Sequence, residues 1–221
     1  MNVIEIKDIS KRFGEHVVLD HITVSFQKGT IYGIVGRNGS GKTVLLECIC
    51  GLMHQDDGTI LVNGKAVGNE IDIAENIGVI IETPGFLPNY SGFRNLQFLM
   101  GIRKKISPGT ISDTMKLVGL DPNDKKKVGK YSLGMRQRLG IAQAIMENPD
   151  ILILDEPMNG LDKEGVAEMR QLFLQKKSEG KLILLASHNR EDIELLCDEV
   201  YEMENGILSR ILEETTRKGL R

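Results

Sequence analysis

The stretch Gly36-Arg37-Asn38-Gly39-Ser40-Gly41-Lys42-Thr43 constrains this chain more than any other. It satisfies the pattern G-x-x-x-x-G-K-[ST] at every specified position. Thr30 to Val35, short and mostly apolar, precedes it and reads as a buried strand. Val44 to Cys50 follows and reads as a buried helix, with Gly51 as its stop. Glycines at 36, 39 and 41 let successive N–H groups turn inward, and the helix start adds partial positive charge. Lys42 is placed to reach β- and γ-phosphates, and the Thr43 hydroxyl to ligate Mg²⁺. The pattern predicts a nucleoside triphosphate site.

At 221 residues the chain suits one domain, or a core with an inserted lobe. A formal net charge of −3 argues against a generic nucleic-acid binder. Lys125, Lys126, Lys127 and Lys130 read as a solvated loop rather than a binding patch. The cysteines at 48, 50 and 197 have neither metal spacing nor an even disulfide framework. Cys48 and Cys50, two apart on an expected helix, point in different directions and read as core filler in a reducing compartment. The first residues lack a basic region followed by an apolar run, and no stretch approaches the about 20 apolar residues that span a bilayer. A soluble, cytosolic chain is expected.

Val3 to Lys7 and Ile22 to Phe26 alternate as strands do, with Lys11-Arg12-Phe13-Gly14 between them. Local sequence makes Phe13 a core residue, although an aromatic here could also stack on a flat base. Thr59 to Lys65 runs into an Asn-Gly turn, a hairpin signal. Ile77 to Ile81 is a further buried strand, ending at Glu82. Helical spacing then appears over Ser91 to Lys104, Ser107 to Val118 and Leu133 to Glu147, each with a serine to cap it. Asp150 to Leu154 restores the buried parallel strand. A helix over Glu164 to Ser178, a strand over Lys181 to Ala186, a short helix, a strand near Glu199–Glu204, an Asn205-Gly206 turn and Ile207 to Leu212 follow. The polar, basic end from Thr215 to Arg221 is expected to fray.

Asp155 and Glu156 stand where an apolar strand stops, the usual place for ligand chemistry in an open α/β sheet. One carboxylate there can hold Mg²⁺, and its neighbour can orient and deprotonate an attacking water. His188 follows another strand and could touch the γ-phosphate or merely serve a turn. In Tyr131-Ser132-Leu133-Gly134-Met135-Arg136-Gln137-Arg138-Leu139 a serine and a close-approach glycine open a long helix, an arrangement able to present N–H groups to an anion.

Together these stretches closely resemble the ATP-binding subunit of ATP-binding cassette (ABC) transporters, from Ile4 to about Leu212. The family's Leu-Ser-Gly-Gly-Gln signature appears as Tyr-Ser-Leu-Gly-Met, keeping the serine and the second glycine, and Arg136 to Leu139 continues the match. Ile151 to Pro157 resembles the Walker B strand, Asn159-Gly160-Leu161-Asp162 the D-loop, and Ser187-His188 the switch-histidine loop. Glu82 departs from the family's usual glutamine. With Glu82-Thr83-Pro84-Gly85-Phe86 and Tyr131 to Met135, the chain looks like the branch containing bacitracin-resistance and lantibiotic-immunity exporters.

The resemblance implies one ABC ATPase domain over 1–221. Segments 1–87 and 148–221 would form an α/β P-loop core with an N-terminal antiparallel β subdomain, and 88–147 an inserted helical lobe. It implies ATP and Mg²⁺ as cofactors and Glu156, His188 and Lys42 as catalytic residues. ATP contacts would come from Phe13, now an adenine-stacking aromatic, and from Gly36, Arg37, Asn38, Gly39, Ser40, Gly41, Lys42, Thr43 and Val44. Ser132, Leu133, Gly134 and Met135 would act on the ATP of a second subunit, with Asn159 and Asp162 in the D-loop. Thr43, Glu82 and Asp155 would hold the metal. The expected partners are a second ATPase subunit, identical or not, and a separate membrane-spanning permease, with no nucleic acid. The chain would sit on the inner face of the cell membrane and power export of a drug, antimicrobial peptide or lipid. The alternative is a soluble ABC-type switch ATPase acting on a non-membrane partner.

Overall fold

The structure, a computed structural model, describes residues 2–82, 85–100 and 106–211. Thr83 and Pro84, the expected helix end at Lys104, Leu212 and the basic tail from Thr215 to Arg221 lie outside the described residues. Strands β1 (Asn2–Phe13) and β2 (His16–Gln27) form a long antiparallel hairpin instead of the two short strands expected. Register shifts interrupt it around Ile6, Ile9 and Lys11, and Asp8 and His21 sit at positive φ, the marks of bulges. Those bulges broke the alternation by which the full strands could have been read. β4 (Asp57–Val62) pairs with β1 only from Ile4 to Ser10. Past Ser10 the hairpin is two-stranded and leaves the core. Phe13, at its tip, is 49% exposed, which corrects the local reading of a core phenylalanine.

The Asn63-Gly64 turn, with φ of 52° and 79°, leads into β5 (Lys65–Ala66), giving the sheet order β2-β1-β4-β5. A second sheet carries the site. Its strands are β3 (Ile31–Val35), β6 (Ile77–Ile80), β7 (Ile151–Asp155), β8 (Leu182–Ala186), β9 (Glu199–Glu204) and β10 (Ile207–Ile211). They run in the order β10-β9-β3-β8-β7-β6, parallel except for the closing β9–β10 hairpin.

Both faces of this sheet are covered, which is why its strands are continuous apolar runs. Ile151, Ile153, Leu182 and Leu184 face helix α1 (Lys42–Cys50) and the antiparallel sheet. Their neighbours Leu152, Leu154, Ile183 and Leu185 join a second core with α2 (Gly92–Leu99), α3 (Pro108–Leu117), α4 (Leu133–Ile145) and α5 (Lys163–Ser178). Each fully buried Leu or Ile contributes about 1.5–3 kcal/mol. Because α1 is wrapped between sheets, Cys48 and Cys50 are both buried despite their spacing. Burial pushes the Cys48 and Cys197 thiols up to about 12, as suits core filler.

Ser91, Ser107 and Ser132 cap α2, α3 and α4 by accepting N–H bonds from Arg94, Thr110 and Met135. α2 ends at Leu99, earlier than its periodicity suggested. Helix α6 (Arg190–Leu196), which follows His188, is fastened to α5 by charge. Arg170 donates to the buried Asp192 at 2.5 and 2.8 Å and to Glu191 at 2.9 Å. Arg170→Met would strand the Asp192 carboxylate without its cation and cost about 3–5 kcal/mol of stability. Urea unfolding measures it; a loss below about 1 kcal/mol, typical of surface pairs, would contradict the anchoring role.

Candidate nucleotide site

The loop Gly36–Gly41 joins β3 to α1, as its flanks predicted. Gly36 and Gly41 have φ of 149° and 105°, and a Cβ on them would come 2.3 Å from the Met203 carbonyl oxygen and 2.7 Å from that of Val18. No other residue type fits either place. Among the described residues, α1 is the one α-helix without a side-chain cap, and its first turn holds no acidic residue. Its first N–H groups are thus presented to an anion. The buried Ser40 hydroxyl oxygen has no hydrogen-bond partner. Lys42 is 8% exposed and curls back on the loop, donating to the carbonyls of Gly36 at 2.7 Å and Arg37 at 3.0 Å. Arg37, Asn38 and Gly39 are exposed, and Val44 is half-buried.

Thr43 Oγ1 donates to Asp155 Oδ2 at 2.6 Å, so the start of α1 meets the end of β7. Glu156, the next residue, has φ 48°, a left-handed backbone that costs a non-glycine residue about 1–3 kcal/mol. Neighbours hold it there. Its N–H donates to the Ala186 carbonyl at 2.9 Å, and its carbonyl accepts from Gln137 Nε2 at 3.3 Å. The Glu156 carboxylate meets both the N–H of His188, at 2.9 Å, and His188 Nδ1, at 2.7 Å. The two strand-end residues expected to act on one phosphate are therefore in direct contact.

A cavity of about 810 Å³ brings these parts together. Asn38, Lys42, Thr43, Val44, Glu82, Asp155, Glu156 and Asn159 line it, with Leu133 and Gln137 from α4. Glu82 stands at φ 59° just past β6 and is exposed. Ser132 is exposed, and its hydroxyl caps Met135 N. Met135 Sδ lies 3.8 Å from Lys126 Nζ. Asp162 caps α5 through Gly165 N, a structural duty that leaves it outside the cavity lining. Phe13 and His188 are exposed and likewise not in that lining. Lys125, Lys126, Lys127 and Lys130 are exposed, as a solvated loop requires.

Sequence reasoning missed three residues. Val18 enters the cavity from β2, and nothing local marks it. Gln137 is buried and donates to the Glu156 carbonyl, and its signal was its place in the stretch Arg136 to Leu139 that continues the family match. Glu47 lies one turn beyond Thr43. Burial first, then repulsion from Glu82 and Asp155, holds its carboxyl above the ordinary value of 4.5.

A family model described as ABC transporter matches residues 19–159, well over half the chain. The chain belongs to the ABC transporter family. The ABC transporter ATP-binding protein YybJ of Bacillus subtilis is 46% identical over 93% of this chain and 94% of its own length. The bacitracin transport ATP-binding protein BcrA of Enterococcus faecalis is 42% identical over 93% of this chain and 68% of its own. A solved ATP-binding subunit of an ABC transporter superimposes with a TM-score of 0.86 at 26% identity, covering 99% of this chain and 94% of that one. This ABC subunit is thus an ATPase with the α/β P-loop fold. Cassettes of this family act with membrane permeases, and among its described residues no helix is long and apolar enough to cross a membrane.

The raised Glu47 carboxyl gives a pH test. Folding favours its neutral form, so its contribution is full below the ordinary 4.5 and lost as pH rises through the raised value. Glu47→Gln should raise the Tm of the nucleotide-free ABC subunit at neutral pH and leave it unchanged under acid conditions. Equal shifts in melts at both pH values would contradict the electrostatic cause.

Proposed function

We propose that this chain is the ATP-hydrolysing half of an exporter whose membrane-spanning subunit is a separate protein. One observation carries the chemistry: a hydroxyl–carboxylate pair, Thr43 and Asp155, stands at the mouth of an uncapped helix beside a carboxylate, Glu156, held by His188. Thr43, Asp155 and Glu82 supply only hard oxygen donors, a set that suits Mg²⁺, and the partnerless Ser40 hydroxyl suits a phosphate. Thr43, Asp155 and Glu82 would hold Mg²⁺, which would supply positive charge to offset that of the phosphates.

The chain's own groups supply the rest. Lys42 and the amides of Gly36 to Val44 hold the β- and γ-phosphates. Phe13, exposed at the hairpin tip, is free to stack on adenine. Glu156 takes a proton from the attacking water, and His188 fixes the carboxylate that does so. Ser132, Gly134 and the start of α4 close on the nucleotide of a second subunit, Leu133 and Met135 flank them, and Asn159 and Asp162 belong to the turn between. In this reading 1–87 and 148–221 are the α/β core and β subdomain, and 88–147 the inserted lobe. The subunit works at the inner face of the membrane. The likeness to BcrA favours a peptide antibiotic or similar amphiphile as the exported load.

Lys42→Ala should weaken ATP binding at least about tenfold, consistent with losing a charge-assisted phosphate contact. Glu156→Gln should keep binding, lower turnover by about 10²–10⁴-fold and trap an ATP-dependent dimer. Affinity purification of Glu156→Gln with ATP from detergent-solubilised membranes should recover a polytopic membrane protein. Near-normal turnover would remove Glu156 from the base role. Recovery of soluble factors alone would replace the exporter reading with a soluble switch ATPase.

A further inference from the structure

Leu133 departs from the family signature, and the structure gives its side chain a neighbour. It is 58% exposed, which is unusual for a leucine at the first turn of a packed helix. Yet it lies flat on Gly160, whose φ is 77°. A Cβ on Gly160 would come within 2.5 Å of both Leu133 Cγ and Cδ2. The fit is mutual, since a Cβ on Gly134 would come 2.9 Å from the Gly160 carbonyl oxygen. One turn along α4, Gln137 Nε2 holds the Glu156 carbonyl, and Asn159 N donates to that same carbonyl at 3.2 Å. The first two turns of α4 therefore touch both ends of the loop Glu156–Gly160. Leu133, Glu156 and Asn159 all line the same cavity.

We infer that Leu133 is a positioning residue that locks the phosphate-facing turn of α4 to the loop carrying Glu156 in the same subunit. The inference rests on the reading that this turn closes on the nucleotide of a second subunit. When the turn docks, the loop moves with it, because Leu133 packs on Gly160 and Gln137 holds the Glu156 carbonyl. Glu156 already has a left-handed backbone fixed by neighbours on two sides, so a small shift of the loop changes where its carboxylate points. Docking at one nucleotide thereby sets the base that acts on the other. A purely structural leucine would be buried; most of this one faces solvent, so its removal leaves the fold nearly intact.

The test is a double-mutant cycle on turnover, with dimer formation read separately. Leu133→Ala should keep the Tm, lower kcat about 10–100-fold at saturating ATP, and reduce the cooperativity of turnover in ATP. Gly160→Ala should also lose turnover, by collision with Leu133 added to backbone strain. Leu133→Ala with Gly160→Ala should be more active than the product of the two single losses predicts, because the collision is gone while the strain is common to both backgrounds. In Glu156→Gln, gel filtration with ATP should give a dimer with or without Leu133→Ala. Full turnover in Leu133→Ala, or strictly multiplicative losses, would overturn the lock. Absence of that dimer with Leu133 in place would overturn the docking reading, and the lock with it.

Discussion

One short hydrogen bond, from Thr43 Oγ1 to Asp155 Oδ2 at 2.6 Å, is the contact on which the rest of the site depends. It joins the start of α1 to the end of β7, two elements separated by more than a hundred residues. The glycine loop can aim its amides only because α1 is held at one angle to the sheet. That angle is fixed by the wrapping of α1 between the antiparallel and parallel sheets, and its polar end is pinned by this bond. A hydroxyl and a carboxylate thus meet at the foot of an uncapped helix, two hard oxygen donors side by side.

From Asp155 the chain turns abruptly. Glu156 occupies a left-handed backbone that nothing in its own chemistry favours, so surrounding contacts must supply the energy. They come from β8 through the Ala186 carbonyl, from α4 through Gln137, and from the His188 loop through two contacts to the carboxylate. The His188 loop is steadied in turn by α6, which Arg170 fastens to α5. Distant parts of the chain thus determine where the Glu156 carboxylate stands.

How much of this was legible follows from how local each cause is. The loop joining β3 to α1 could be read outright, because its geometry is dictated by glycines and a lysine within eight residues. The parallel strands could be read too, since burial on both faces leaves runs such as Ile151 to Leu154. Phe13 could not: whether it is buried depends on β4 ceasing to pair at Ser10, more than forty residues away in sequence from the pairing segment. Asp162 belongs to the D-loop by resemblance, and its carboxylate also caps α5 by accepting from Gly165 N. Gln137, Val18 and Glu47 enter the site through contacts that only the folded chain creates.

The most direct measurement is the Mg²⁺ dependence of ATP binding, by calorimetric titration of the native chain and of Asp155→Asn. If the Thr43–Asp155 pair holds the metal against the phosphates, Mg²⁺ tightens ATP binding in the native chain. That gain disappears in Asp155→Asn, whose metal-free affinity is equal or higher because a negative charge is gone. An undiminished Mg²⁺ gain in Asp155→Asn would contradict the account at its centre.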